Sequence, residues 1–155
     1  MVSRVSEQLD WIDTPVLVTG ATGFIGQRLV KQLVNAGAQV YACIAPADPE
    51  DLVAALPTAV EKLTFDIRDR EAMAAAITQA VPHFVFHLAA VGVTTPNPDP
   101  ELALSVNAGG AINLLQVLRA SGVQRIVLTG TCYEYGARET NVGLDPLSLY
   151  AASKV

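Results

Sequence analysis

From Pro15 onward the chain alternates between two textures. Short, nearly unbroken apolar runs rich in β-branched residues are followed by stretches whose apolar positions recur at helical spacing. "PVLVTG" predicts a strand that ends in a glycine turn. "FIGQRLVKQLVNAG" predicts a helix, with Ile25, Leu29 and Leu33 a turn apart and Gly37 as its C-terminal stop. "QVYACIA" predicts a second strand, "DPEDLVAALP" a short helix that Pro57 helps to end, and "VEKLTFDI" a third strand. "DREAMAAAITQAV" predicts a helix opened by Asp69 as N-cap, and "HFVFHLAA" a fourth, wholly apolar strand. After the loop "TTPNPDP", Asp99 and Pro100 suit the N-cap and first position of a long helix. That helix runs from about Glu101 to Ser121 and stops at Gly122. "QRIVLTG" predicts a fifth strand. A long loop carrying Gly136, Gly143 and Pro146 follows, and a last helix begins near Ser148.

Strands that alternate with helices build β-α-β units and a parallel sheet. Continuously apolar strands fit a sheet covered by helices on both faces. Right-handed crossovers then give an α/β, doubly wound Rossmann-type fold of about five strands. Residues 15–155 read as one such domain, and residues 1–14 as a loosely held N-terminal extension.

Composition narrows the partners. Of the 155 residues, 51% are hydrophobic and 16% charged, which suits a buried core and excludes a disordered chain. The net charge of −5, without any basic block, argues against nucleic acid and anionic membrane surfaces. The apolar runs are too short to span a bilayer, and the first residues lack the apolar core of a secretory signal. Cys43 and Cys132 stand far apart, and His83 and His87 have no metal-ligand set around them. Cys43 reads as a buried small hydrophobe, Cys132 as a small filler rather than a nucleophile, and the expected compartment is the reducing cytoplasm. His87 reads as a packing and hydrogen-bonding residue, and His83 as solvent-facing.

"VLVTGATGFIG" sets Gly20, Gly23 and Gly26 at a strand-to-helix junction. There the first glycine permits a tight turn, the second lets a pyrophosphate approach the backbone, and the third lets the helix pack close to the sheet. The helix N-terminus adds free N–H groups and the positive end of a dipole. This predicts a dinucleotide site. Such sites often carry an acid at the end of the second strand to hold the ribose hydroxyls of NAD. Here that place holds Ile44, Ala45 and Pro46, Asp48 comes late, and no Arg or Lys is nearby in sequence to hold a 2′-phosphate. NAD and NADP both stay open.

Tyr150 and Lys154 form a Y-x-x-x-K pair on one face of the last helix. Hydride transfer to or from a C–OH requires a proton to move as well. For a Tyr to act as the base, its pKa has to fall from about 10 to about 7, which is about 4 kcal/mol of preference for the phenolate. A neighbouring cation such as Lys154 favours that form.

Taken in order, "TGATGFIG", "DIRD", "HLAA", "NAGGAINLL", "TGTCYEYG" and "YAASK" resemble the extended short-chain dehydrogenase/reductase family, the NAD-dependent epimerase/dehydratase group. The resemblance runs from about Val16 to the end. It implies that Gly20, Thr22, Gly23, Phe24, Ile25 and Gly26 form the pyrophosphate turn, and that Asp66 and Ile67 hold the adenine edge. Leu88, Ala89 and Ala90 would line the cofactor, and Asn107 would support the site's hydrogen bonds. Thr131, Tyr150 and Lys154 would be catalytic, with Tyr150 and Lys154 also touching the cofactor. Asp66 is alternatively a cap of the loop after the third strand, and Asn107 an ordinary helix residue. Thr129 lies close enough to Thr131 to compete for its role. Glu134 stands where the family often has an apolar residue, and reaches either substrate or solvent.

The implied activity is NAD(P)-dependent oxidation or reduction at a nucleotide-sugar C–OH or keto group, as in epimerases, dehydratases and 4-ketoreductases; "GTCYEYG" is more similar to the ketoreductase branch. A non-catalytic NAD(P)-binding regulatory or sensor protein is the alternative. The family continues beyond this helix with more strands and a C-terminal substrate domain, so the expectation is an incomplete N-terminal portion that is inactive alone. The family also dimerises through the long helix and the Tyr-bearing helix, which implies a homodimer.

Overall fold

The computed structural model describes residues 10–93, 99–135, 144 and 146–155. Residues 1–9 of the extension, residues 94–98 of the first long loop, and Gly136 and Gly143 of the second lie outside the described residues.

Five parallel strands form one sheet in the order β3-β2-β1-β4-β5. They are β1 (Pro15–Thr19), β2 (Gln39–Ile44), β3 (Glu61–Thr64), β4 (Phe84–His87) and β5 (Arg125–Leu128). β1 is central, with Leu17 opposite Tyr41 of β2 and Val85 of β4. The order reverses between β1 and β4. In such sheets ligands bind in the crevice beyond the carboxyl ends of the strands at that reversal.

The period-2 alternation of strand side chains builds two cores. Val16 and Val18 point to one face, where Val30 and Leu33 of α1 (Phe24–Asn35) cover them. Leu17 and Val85 point to the other, against Met73 and Ile77 of α3 (Arg70–Ala80) and Leu114 and Leu118 of α5 (Gly110–Leu118). A short α2 (Glu50–Ala54) links β2 to β3. The capping expectations hold: the Asp69 carboxylate accepts from the N–H groups of Glu71 and Ala72, and Asp99 accepts from Leu102 N–H ahead of Pro100. Gly37 takes the left-handed backbone (φ +87°) that ends α1.

Four features differ from the sequence reading. Residues 10–14 are docked rather than loose, because Trp11 packs edge-on to Phe84 at 5.1 Å and Asp13 N–H donates to Gly37 O. The fifth strand is not covered on both faces: β5 is an edge strand, and Val127 and Leu128 are 40% and 47% exposed. Cys132 is exposed, so it fills no core. The long helix is also not uniform. It runs through α4 (Pro100–Ala103), a π-helical turn (Leu104–Gly109) and α5, and is long and apolar enough, by length and composition alone, to cross a membrane. Here its inward residues Ala103, Asn107, Gly110, Leu114 and Leu118 are buried in the fold. Gly110 has no room for a side chain, since a Cβ there would lie 2.7 Å from Ile67 Cγ2.

Candidate cofactor and acid-base site

β1 runs into the glycine turn at the centre of the sheet's carboxyl edge. Gly20 adopts φ +65°, and a Cβ on it would sit 2.7 Å from Ala89 N, so this turn crosses the exit of β4 at backbone contact. A Cβ on Gly26 would collide with the carbonyl oxygen of Gly20 and approach Ala21 Cα at 2.8 Å, so the first turn of α1 sits directly on the end of β1. Gly23 is the N-cap of α1 and carries no side-chain cap. The first N–H groups of that helix therefore face outward without a side-chain acceptor, which is the arrangement that receives an anion.

A cleft of about 780 Å³ opens beside this turn, within the usual range for small-molecule and cofactor sites. It is lined by Gly20, Thr22 and Gly23, by Asp66 and Ile67 beyond β3, and by Leu88, Ala89 and Ala90 beyond β4. Eight of the residues expected at a cofactor thus converge. Phe24 and Ile25 do not line it: they are exposed on the outer side of α1, and Phe24 lies under the Arg28 guanidinium at 4.7 Å. Gly26, Asn107, Tyr150 and Lys154 are also absent from its walls.

Tertiary structure supplies charges that sequence distance hid. Asp48 folds back on the turn, where its Oδ2 accepts from Thr22 Oγ1 and from Ala45 N, both at 2.9 Å. On the other side of Thr22 and Gly23, a hollow of about 610 Å³ carries Arg28 and Lys31, so cations are close after all. Arg68 also lines the main cleft. It grips Asp66 through its backbone N–H and its Nε, both 2.9 Å from Oδ1, and through an ion pair to Oδ2. The Arg68 side-chain hydrogen bond holds the Asp66 carboxyl below the usual carboxylate range. Asn113 on α5 fixes this loop by donating to the carbonyls of Ile67 and Arg68. Asp66 therefore shapes its loop as well as facing the cleft.

The second cluster lies beyond β4 and β5. Asn107, buried on the π-helical turn, accepts from Val91 N at 2.9 Å and donates to Val91 O at 3.0 Å and Ser153 Oγ at 2.8 Å. One side chain thereby joins the β4 exit, which lines the cleft, to the helix α6 (Leu149–Ala152) that bears Tyr150 and precedes Lys154. A π-helical turn widens the helix locally and often marks a functional position. Ser148 caps α6 by accepting from Ala151 N. Thr129 is tied to His87 O, whereas Thr131 begins the 3₁₀ turn Cys132–Tyr135. Leu147 N donates to Tyr133 O and holds that turn beside α6.

The electrostatics of this cluster depart from expectation. Burial, and then the Glu134 carboxylate, push the Tyr150 phenol up, opposite to the direction a base near neutral pH requires. Burial pushes the Lys154 ammonium down, against the opposing pull of Glu134. His87 is buried with Nδ1 2.7 Å from Thr19 Oγ1, and its Nε2 has no hydrogen-bond partner among the described residues. Burial first, and the Lys154 charge second, push it down to about 4. Glu134 turns back on its own segment, where its Oε1 accepts from Thr131 N at 2.7 Å. Asp48, Arg68, Asn113 and Glu134 are the site residues that sequence reading missed or misplaced. For the first three, the signal was only a polar residue next to a strand exit or on a helix.

A five-stranded parallel sheet whose reversal point carries a capless glycine turn defines a Rossmann-type α/β protein of the dinucleotide-binding class. The model of the NAD dependent epimerase/dehydratase family matches residues 16–155, and the chain belongs to that family. It is 34% identical over 152 residues to the UDP-glucose 4-epimerase of Mycolicibacterium smegmatis, a match covering 90% of this chain and 47% of that protein. It is 34% identical to the CDP-glucose 4,6-dehydratase of Salmonella typhimurium, over 89% of this chain and 42% of that one. The crystal structure of the Thermus thermophilus UDP-glucose 4-epimerase complex with NAD superposes with a TM-score of 0.77 at 36% identity, covering 90% of this chain and 47% of that chain. The chain spans about half the length of the relatives it matches.

Proposed function

We propose that this chain carries the cofactor site and the acid-base residues of an NAD(P)-dependent enzyme acting at a C–OH or keto carbon of a nucleotide-linked sugar. The observation that carries the reading is the Asn107 bridge. It ties Val91, on the wall of the dinucleotide cleft, to Ser153, the neighbour of Lys154. The residues fit a dinucleotide. Gly23 and the uncapped first turn of α1 would take the pyrophosphate, the Asp66–Ile67 loop the adenine, and Leu88, Ala89 and Ala90 the inner part of the cofactor. The bound cofactor supplies the hydride acceptor or donor.

In this reading Thr131 orients the substrate oxygen, Tyr150 exchanges its proton with that oxygen, and Lys154 holds positive charge beside the phenol. Since the chain's own groups push the phenol up, the base role depends on added positive charge at the site. The substrate class follows the relatives, which act on UDP- and CDP-linked sugars by their names. The cytoplasm and a homodimer remain the matching expectations for the protein. A cofactor-binding protein without turnover is the second reading, and the raised phenol of Tyr150 is the observation that favours it.

Fluorescence titration with NADH and NADPH tests the cofactor site, and saturable binding of at least one is expected. Tyr150→Phe is expected to keep that binding and to abolish reduction of NAD+ by UDP-glucose or CDP-glucose in the active protein, since general acid-base catalysis contributes about 10²–10⁴-fold. Binding of neither nucleotide, or undiminished turnover in the Phe variant, overturns the assignment.

A further inference from the structure

Thr131 and Glu134 form a T-x-x-E pair. The Glu134 side chain makes its capping-box bond back to the Thr131 N–H, while the Thr131 hydroxyl caps one residue earlier, at Tyr133 N rather than Glu134 N. Thr131 Oγ1 accepts from Tyr133 N at the long distance of 3.4 Å. Glu134 N donates to Thr131 O at 3.2 Å, and Glu134 Oε1 accepts from Thr131 N at 2.7 Å. A carboxylate accepting from an amide makes a short, charge-assisted bond. Gly130 leaves the space it occupies, because a Cβ there would lie 2.8 Å from Oε1. The hydroxyl of Thr131 therefore has an acceptor lone pair engaged by the turn. Its proton finds no acceptor among the described residues.

We propose that Glu134 is a positioning residue of the acid-base site. Its carboxylate closes the capping box on Thr131 and thereby holds the Thr131 hydroxyl as a donor toward a substrate alcohol or carbonyl oxygen. This deepens the proposed function and rests on it for the substrate contact. The capping box itself stands on geometry alone. The carboxylate also lies close enough to Tyr150 and Lys154 to affect both titrations, so its placement serves the cluster as a whole.

The test separates positioning from acid-base work. In the ¹⁵N-labelled chain, the Thr131 amide proton is expected downfield and the Thr131 χ1 couplings are expected to report one rotamer. Glu134→Ala should move the amide upfield and average the couplings. Glu134→Gln should largely preserve both, since a Gln oxygen also accepts in a capping box. Gly130→Ala should reproduce the Ala result without touching the acid, by displacing the carboxylate. An unchanged Thr131 amide in both Glu134→Ala and Gly130→Ala overturns the capping role, whatever the protein's activity. In turnover with UDP-glucose or CDP-glucose, Glu134→Ala should lower kcat by about 10²-fold, the scale of a misplaced contact, with the KM for NAD+ unchanged. Glu134→Gln should stay close to the parent. Loss of about 10²-fold in Glu134→Gln as well would assign Glu134 to proton transfer and overturn positioning. Undiminished turnover in Tyr150→Phe would remove the proposed function while leaving the capping box intact.

Discussion

His87 makes the stability of this fold depend on pH in a calculable way. It ends β4 at 1% exposure, bonded through Nδ1 to Thr19 and facing the Lys154 charge. Folding lowers its pKa from 6.5 to about 4. A base with a depressed folded pKa is protonated first in the unfolded chain. The unfolded state thus binds more protons between those two values, and stability falls as pH falls through that window. Above about pH 6.5 the contribution is fully present; by about pH 4.5 roughly 2.5 kcal/mol of it is lost, at 1.36 kcal/mol per pKa unit. Against a domain stability of about 5–15 kcal/mol that is a large fraction. Urea denaturation of the parent and of His87→Asn, at about pH 7.5 and about pH 4.5, isolates the effect, because acid titration of the carboxylates is common to both. The variant is expected to be less stable at the higher pH, with a fall toward the lower pH smaller by about 2.5 kcal/mol. Parallel falls in the two proteins would refute the assignment. A ring-proton NMR titration gives a direct reading, with exposed His83 as the second histidine signal.

Two further substitutions test the geometry of the site. Gly26→Ala forces a Cβ into the Gly20 carbonyl and should cost about 1–3 kcal/mol by overpacking, together with at least a tenfold loss of NADH affinity. Thermal unfolding and NADH fluorescence check both parts, and unchanged values would mean that α1 does not rest on the turn as described. Asn107→Ala strands Val91 N–H and Val91 O, at about 1–3 kcal/mol for each group left unsatisfied, and removes a donor from the Ser153 hydroxyl, which keeps its own bond to Tyr150 O. Hydrogen exchange should speed up at Val91 and through α6, and unaltered protection there would show that the bridge does not hold the helix.

The linear sequence determined the order and type of the elements. Strand texture, helical spacing and caps at Asp69, Asp99 and Gly37 are local properties, and each appears where its residues stand. The glycine turn was legible for the same reason, since φ at Gly20 and the crowding at Gly26 arise within one strand-turn-helix unit. The Tyr–Lys pair was legible as a spacing.

Only the tertiary structure decided what surrounds these residues. Asp48 reaches Thr22 because β2 lies beside β1, and Asn107 reaches Ser153 because a π-helical turn directs it between β4 and α6. The exposure of Val127 and Leu128 depends on what packs over the faces of β5, which its apolar sequence does not encode. Charge was hardest to foresee. The spacing of Lys154 suggested a lowered phenol at Tyr150, yet burial and then Glu134 raise it, because desolvation and through-space charge depend on packing in three dimensions rather than on spacing along a helix.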